Sequence, residues 1–251
     1  MESTIRPDQQ KAFDSKWVGD YEKGLVTEGH YLWVRQRRMR LAVDRTLELL
    51  NRDPADLTAL TICGGTGGEA GYLADRGFGE VTNSDFSAGA LEVAQKRDSR
   101  LLVRTIDIEN NDVPDESYDV VMVQDGLHHL TRPVQGFNEM IRMARLAAIV
   151  VEPHQSLVGR LIGTEWEKVG DAVNYVFRWD HDLFAQTARS QLVREPTEIW
   201  TKRLWDHNQA VSKLSNWTED EPKKMAITRT AYGMLTPANR FGNMFLGVLI
   251  K

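Results

Sequence analysis

Residues able to do chemistry gather in the middle of the chain. The run 60-LTICGGTGGEAG-71 places Gly64, Gly65, Gly67 and Gly68 within five positions, after an apolar stretch and before a helix-like one. Glycine allows a tight turn, or a close approach of backbone to a ligand. Asp85 and Asp107 end two further strand-like runs, His128 and His129 follow a third, and His154 follows a fourth. A histidine with an ordinary pKa near about 6.5 suits proton transfer. Alone, the glycine cluster reads as a tight turn between strand and helix. With Asp85 and Asp107 downstream it reads as a ligand loop.

Such residues need elements to hold them. Residues 57–64 read as a buried strand, and 69–77 as a helix that Gly77 ends. A second strand over 80–85 leads to a helix over 87–97 with Ser87 as its cap. Strands follow at 101–107, 118–124 and 146–153, with a helix at 133–144 whose first turn holds Pro133. The alternation predicts an α/β fold, a doubly wound parallel sheet with right-handed crossovers. Beyond 155 the rhythm changes. Residues 192–205 and 244–251 read as strands, while about 155–190 and 206–240 read as irregular. Residues 8–50 look helical. The reading is a single domain over 1–251, with an N-terminal helical cap (1–54), a core (55–155), and a substrate lid with closing strands (156–251).

Composition narrows the partners. A net charge of −5 argues against a general nucleic-acid binder. The single cysteine, Cys63, forbids an intrachain disulfide and fits a cytoplasmic setting. No apolar run approaches the ~20 residues of a membrane span, and the N-terminus has no signal-peptide core.

Together these features resemble the class I S-adenosylmethionine-dependent methyltransferases, in that family's order, over roughly 55–155. The glycine loop, Asp85, Asp107-Ile108, the block PDESYDVVMVQDGLHHL and the ending Glu152-Pro153 carry the likeness. The resemblance implies a seven-stranded Rossmann-like sheet, mostly parallel, with MFLGVLIK as an antiparallel last strand. It implies S-adenosyl-L-methionine as cofactor, held by Cys63, Gly64, Gly65, Thr66, Gly67, Asp85, Phe86, Asp107, Ile108, Gln124 and Asp125. Asp85 would accept the ribose hydroxyls, Phe86 would lie near the adenine, and Asp107 and Ile108 would receive it. A side chain at Gly65 or Gly67 would fill space meant for the cofactor. The implied reaction is direct in-line displacement onto a small-molecule methyl acceptor, leaning to a sugar or glycan precursor or a natural product. His128, His129 or His154 would take a proton if the acceptor is a hydroxyl. No nucleic acid, membrane or metal is expected, and a homodimer is possible.

The sequence departs from the family's pattern at Thr61, where an acidic residue is usual, and at Cys63, where a glycine is usual. Glu69 or Asp125 could replace the missing carboxylate. Otherwise the chain is a methyltransferase-like binding protein that does no transfer. A NAD-dependent Rossmann oxidoreductase is a weaker alternative, because G-x-G-x-x-G fits the loop badly. Asp125, His128, Glu152 and His154 are residue types that suit a divalent metal, without a spacing that demands one. RQRRMR (35–40) reads as a solvated helix face in preference to a phosphate clamp. Five of the seven tryptophans lie between 166 and 217 and read as lid packing.

Overall fold

Strand β4 (Tyr118–Gln124) shows how the sequence builds two cores. Its alternate residues point to opposite faces of a sheet. Val120 and Met122 join Ala59, Ile149 and Val151 on one face, while Val121 and Val123 join Leu60, Ile62 and Val150 on the other. Both faces are buried, so the run is almost wholly apolar, as in parallel sheets covered on both sides.

The computed structural model describes residues 29–157, 161, 165–169, 172–206, 213 and 216–251. The N-terminal cap before residue 29 lies outside them. Strands β1 (Thr58–Thr61), β2 (Glu80–Asp85), β3 (Leu102–Thr105), β4 and β5 (Ala144–Pro153) are mutually parallel. Strand β9 (Met244–Ile250) runs antiparallel between β5 and β8 (Glu198–Leu204). The seven-stranded order is β3-β2-β1-β4-β5-β9-β8. Strand order reverses between β1 and β4, and a crevice at such a switch point is where open α/β sheets take ligands. Strands β6 (Trp166–Val169) and β7 (Ala172–Tyr175) form a separate antiparallel hairpin.

Helices cover the sheet. α1 (Gly29–Leu50) lays Met39, Ala42 and Val43 on the Val120 face, beside α2 (Gly68–Asp75). α3 (Ala88–Arg97) begins at Ser87, whose hydroxyl accepts from Ala90 N at 3.2 Å. α4 (Pro133–Met143) and α5 (His181–Leu192) pack the other face, where the Phe137 and Phe184 rings stack 4.7 Å apart. α6 (Glu221–Leu235) closes against α1 through Tyr232 and Trp33.

Three expectations need correction. The segments read as irregular hold the β6–β7 hairpin, α5 and α6. Asp180 and Asp220 cap the two helices by accepting from Leu183 N and Lys223 N. The strand expected over 192–205 starts only at Glu198, because Val193 turns out of α5 with a left-handed φ of 53°. RQRRMR is not a solvated face, since Arg37 and Arg38 are buried and only Arg40 is exposed. Arg38 pairs with both Asp125 and Asp206, and Tyr232 Oη donates to Asp206 at 2.7 Å. The charges that compensate Arg38 come from the exits of β4 and β8, far away in sequence.

His154 is also fixed by the fold. It is buried at the end of β5, donates its backbone N–H to Asn243 O at 2.7 Å, and lies edge-on to Phe245. Its Nδ1 has no hydrogen-bond partner among the described residues. Burial, with Arg203 nearby, holds its pKa below the usual histidine value, against the opposing pull of Asp180.

Two outcomes follow from this packing. Arg38→Met leaves Asp125 and Asp206 without their cation, and should cost about 3–5 kcal/mol of stability in urea unfolding. The exposed Arg40→Ala on the same helix should stay within about 0.5 kcal/mol. His154 binds its proton less tightly folded than unfolded. Stability should therefore fall as pH drops below the unfolded value of about 6.5, and hold above it. Urea midpoints measured across that range should fall more steeply for the native chain than for His154→Leu. Parallel profiles would contradict the assignment.

Candidate active site

The carboxyl ends of β1, β2 and β4 converge on the glycine loop. Cys63 and Gly65 both take φ of 50°, and Gly67 takes 83° as it opens α2. Gly64 N donates to Ser84 O at 2.8 Å, which ties the loop to β2. Asp85 lies beneath it, accepting from Gly65 N and from Ser87 N, each at 2.9 Å. A buried carboxylate with backbone donors on each oxygen is held rigidly.

The glycines serve the protein's own packing more than the sequence reading allowed. A Cβ at Gly67 would sit 2.9 Å from Ala94 Cβ and 3.2 Å from Leu101 Cδ1, so that position meets α3 instead of open ligand space. Thr66 is buried on the same side, where Arg97 Nη1 donates to its carbonyl at 3.1 Å. A Cβ at Gly126 would meet Cys63 Cβ at 2.6 Å. That glycine lets the β4 exit pass directly over the loop.

Thr61 does not leave a hole where the family has an acid. Its hydroxyl donates to Asn83 Oδ1 at 2.8 Å, and Asn83 Nδ2 donates to Gly65 O at 3.0 Å. A neutral chain of hydrogen bonds thus pins the loop. A second buried carboxylate, Glu69, lies in the first turn of α2, paired with Arg35. Gln124 Nε2 lies 3.4 Å from Glu69 Oε1, and Gln124 Oε1 is buried with no partner among the described residues. A buried acceptor left unpaired costs about 1–3 kcal/mol, so it marks a place for a donor. Asp125, at φ 52°, faces Arg38. Burial raises its pKa, but Arg38, Arg35 and His128 outweigh this and hold it below the ordinary carboxylate value.

A narrow crevice opens beside Asp85. Cys63, Phe86, Asp107, Ile108 and His129 of the expected set line it, together with Ile106, Glu109 and Leu130, which the sequence reading missed. Asp107 Oδ1 accepts from Glu109 N at 3.1 Å. Burial and then Asp85, Glu152, Glu109 and Asp107 push the Cys63 thiol well up, so it stays protonated and is no nucleophile. Of these carboxylates, Glu152 is matched by His128 and Glu109 by Arg132.

The two neighbouring histidines lie on a 3-10 turn, Leu127–His129. Glu152 is wholly buried, and its Oε1 accepts from Gly126 N and Leu127 N at 2.7 Å each. Its Oε2 lies 2.7 Å from His128 Nδ1. Burial lowers the His128 pKa, but Glu152, with Glu167 and Asp125, overcomes this and lifts it to about 10. His128 therefore holds a proton at neutral pH, the reverse of the free base expected. His128 and His129 line a wider pocket of about 260 Å³, walled by Leu130, Trp166, Val173, Tyr175 and Phe177. His154 lines neither this pocket nor the crevice. Its expected role as a base does not fit its burial.

Residues 60–151 match a family model described as a methyltransferase domain. A demethylmenaquinone methyltransferase of Beutenbergia cavernae is 31% identical over 112 residues, 43% of this chain and 46% of that one. A ubiquinone/menaquinone biosynthesis C-methyltransferase of Paraburkholderia phymatum is 32% identical over 145 residues, 52% and 55% of the two chains. The chain thus spans about half the length of these curated relatives. Among solved structures, a methyltransferase of Thermotoga maritima, described as a possible histamine N-methyltransferase, superposes with TM-score 0.59 at 17% identity. That match covers 96% of this chain and 99% of the other. A [4+2]-cyclase, SpnF, superposes at 0.60 with 15% identity, covering 99% and 96%. At such identities the likeness establishes the fold. The domain match adds that residues 60–151, the core of the sheet, are similar in sequence to methyltransferase domains.

Proposed function

We propose that this chain methylates a flat, largely apolar small molecule, with the donor held at the ends of β1–β4 and the acceptor under the β6–β7 hairpin. When bound, S-adenosylmethionine supplies an electrophilic methyl group on a sulfonium sulfur. Asp85 would accept from the ribose hydroxyls with the lone pairs its backbone donors leave. Asp107 and Ile108 would take the adenine, with Phe86 beside it. The observation that carries the reading is Gln124 Oε1, a buried acceptor next to the carboxylate of Glu69. Together they suit the ammonium of the methionyl end, where Thr61 offers no charge, and Arg35 suits its carboxylate. The crevice is too narrow for a purine as it stands.

His128 cannot turn its Nδ1 to an acceptor, because Glu152 holds it. Its role in this reading is to offer Nε2 to the acceptor's oxygen and polarise it. Much of the acceleration then comes from alignment of the two partners. Of the two acceptor classes expected from the sequence, a sugar precursor and a natural product, the apolar walls favour the latter. The quinone enzymes among the relatives agree with a flat ring.

Calorimetric titration with S-adenosylhomocysteine tests the donor half. The native chain should bind one equivalent and ignore NAD. Asp85→Asn should weaken binding by about 10–100-fold, the worth of hydrogen bonds to a charged group. Gln124→Leu removes an unpaired oxygen together with one long bond to Glu69, so its unfolding temperature should change little, yet it should bind about tenfold more weakly. No binding by the native chain, or unchanged affinity in both variants, would contradict the proposal.

A further inference from the structure

We propose that His128, His129 and Glu167 form a binding site for a divalent transition-metal ion of the zinc class. Glu167 Oε2 lies 3.7 Å from His128 Nε2 and 3.7 Å from His129 Nδ1. The three ligand atoms all fall within 4.8 Å of one another. A separation of 3.7 Å is longer than a hydrogen bond. It is close to the roughly 3.4 Å that separates two ligands, each about 2.1 Å from a tetrahedral ion. The two Glu167 separations need to close by only about 0.3 Å, and the two histidine nitrogens by at most about 1.4 Å.

The surroundings support the same conclusion. Metal-binding histidines usually donate their second ring nitrogen to a carboxylate, which fixes the tautomer and the ring's direction. Glu152 does this for His128 at 2.7 Å, and is itself held by the Gly126 and Leu127 amides. His128 Nε2 is therefore aimed by a rigid support, and the His129 ring centroid lies 4.1 Å from that of His128. Glu167 comes from the β6–β7 hairpin, so an ion would fasten that hairpin over the wider pocket. Two imidazoles and one carboxylate suit zinc and its neighbours better than magnesium or calcium, which prefer oxygen.

Three protein ligands leave a coordination position open, as in catalytic zinc sites. Ligation by His128 Nε2 displaces the proton that this nitrogen otherwise carries, so with an ion bound the open position of the metal, in place of His128, would meet an acceptor oxygen in the wider pocket that both histidines line. This last role rests on the proposed function. The metal site itself does not.

The test uses the full-length chain without a histidine tag, stripped with chelator and free of any methyl donor. Zinc is titrated calorimetrically, and cobalt by its visible absorption. The native chain should bind one ion, with a tetrahedral or five-coordinate cobalt spectrum. His129→Ala and Glu167→Gln should each weaken zinc by at least about tenfold. Absence of one-to-one binding would overturn the site, as would binding unaffected by either variant. S-adenosylhomocysteine affinity is read on the same samples. Zinc binding without adenosyl binding would keep the metal site and sink the methyl-donor reading.

Discussion

A wholly buried carboxylate sets the geometry of the site. Glu152 sits at the end of β5 and takes three donors from the exit of β4: the Gly126 and Leu127 amides and His128 Nδ1. Left unpaired, such a charge would cost several kcal/mol. The β4 exit must therefore wrap onto β5, and that wrap is feasible because Gly126 has no Cβ to strike Cys63. The same wrap turns His128 and His129 towards the wider pocket and brings Asp125 to α1. Parallel pairing of Gln124 with Val151 supplies the register that places Glu152 there.

Charge is arranged differently around the crevice beside Asp85. The usual acid on β1 is replaced by a neutral Thr61–Asn83–Gly65 chain, and negative charge is moved to Glu69, Asp85 and Asp107 around the rim. Helix α1 brings Arg35 and Arg38 to balance part of it. The arginines thus belong to the site's electrostatics and to the core's stability together. These local charges matter because a fold alone does not specify the chemistry done on it.

Much of the sheet was legible because its signals are local. The continuous apolar run of β4, the Ser87 cap and the closing run Met244–Ile250 each announce themselves within a few residues. The lid half was not, since α5 and α6 carry mixed polar faces and the short strands β6 and β7 lack a strict alternation, although the Gly170-Asp171 pair between them is a hairpin dipeptide that the sequence reading passed over. Burial of Arg38 was hidden because its partners come from positions 125 and 206. Asp85, Asp107 and the His128–His129 pair could be picked out by type and position at strand ends. Glu167 could not, as only the hairpin's return over the sheet brings it to the histidines.

The central claim is that the loop at 63–67, Asp85, the 106–109 segment and the β4 exit act as one adenosyl site. Hydrogen exchange of the backbone amides, with and without saturating S-adenosylhomocysteine, tests it most directly. The account predicts slowed exchange in all four segments at once, with β8 and the distal half of α5 unchanged. Binding that leaves these segments unprotected, or that protects some other surface, would contradict it.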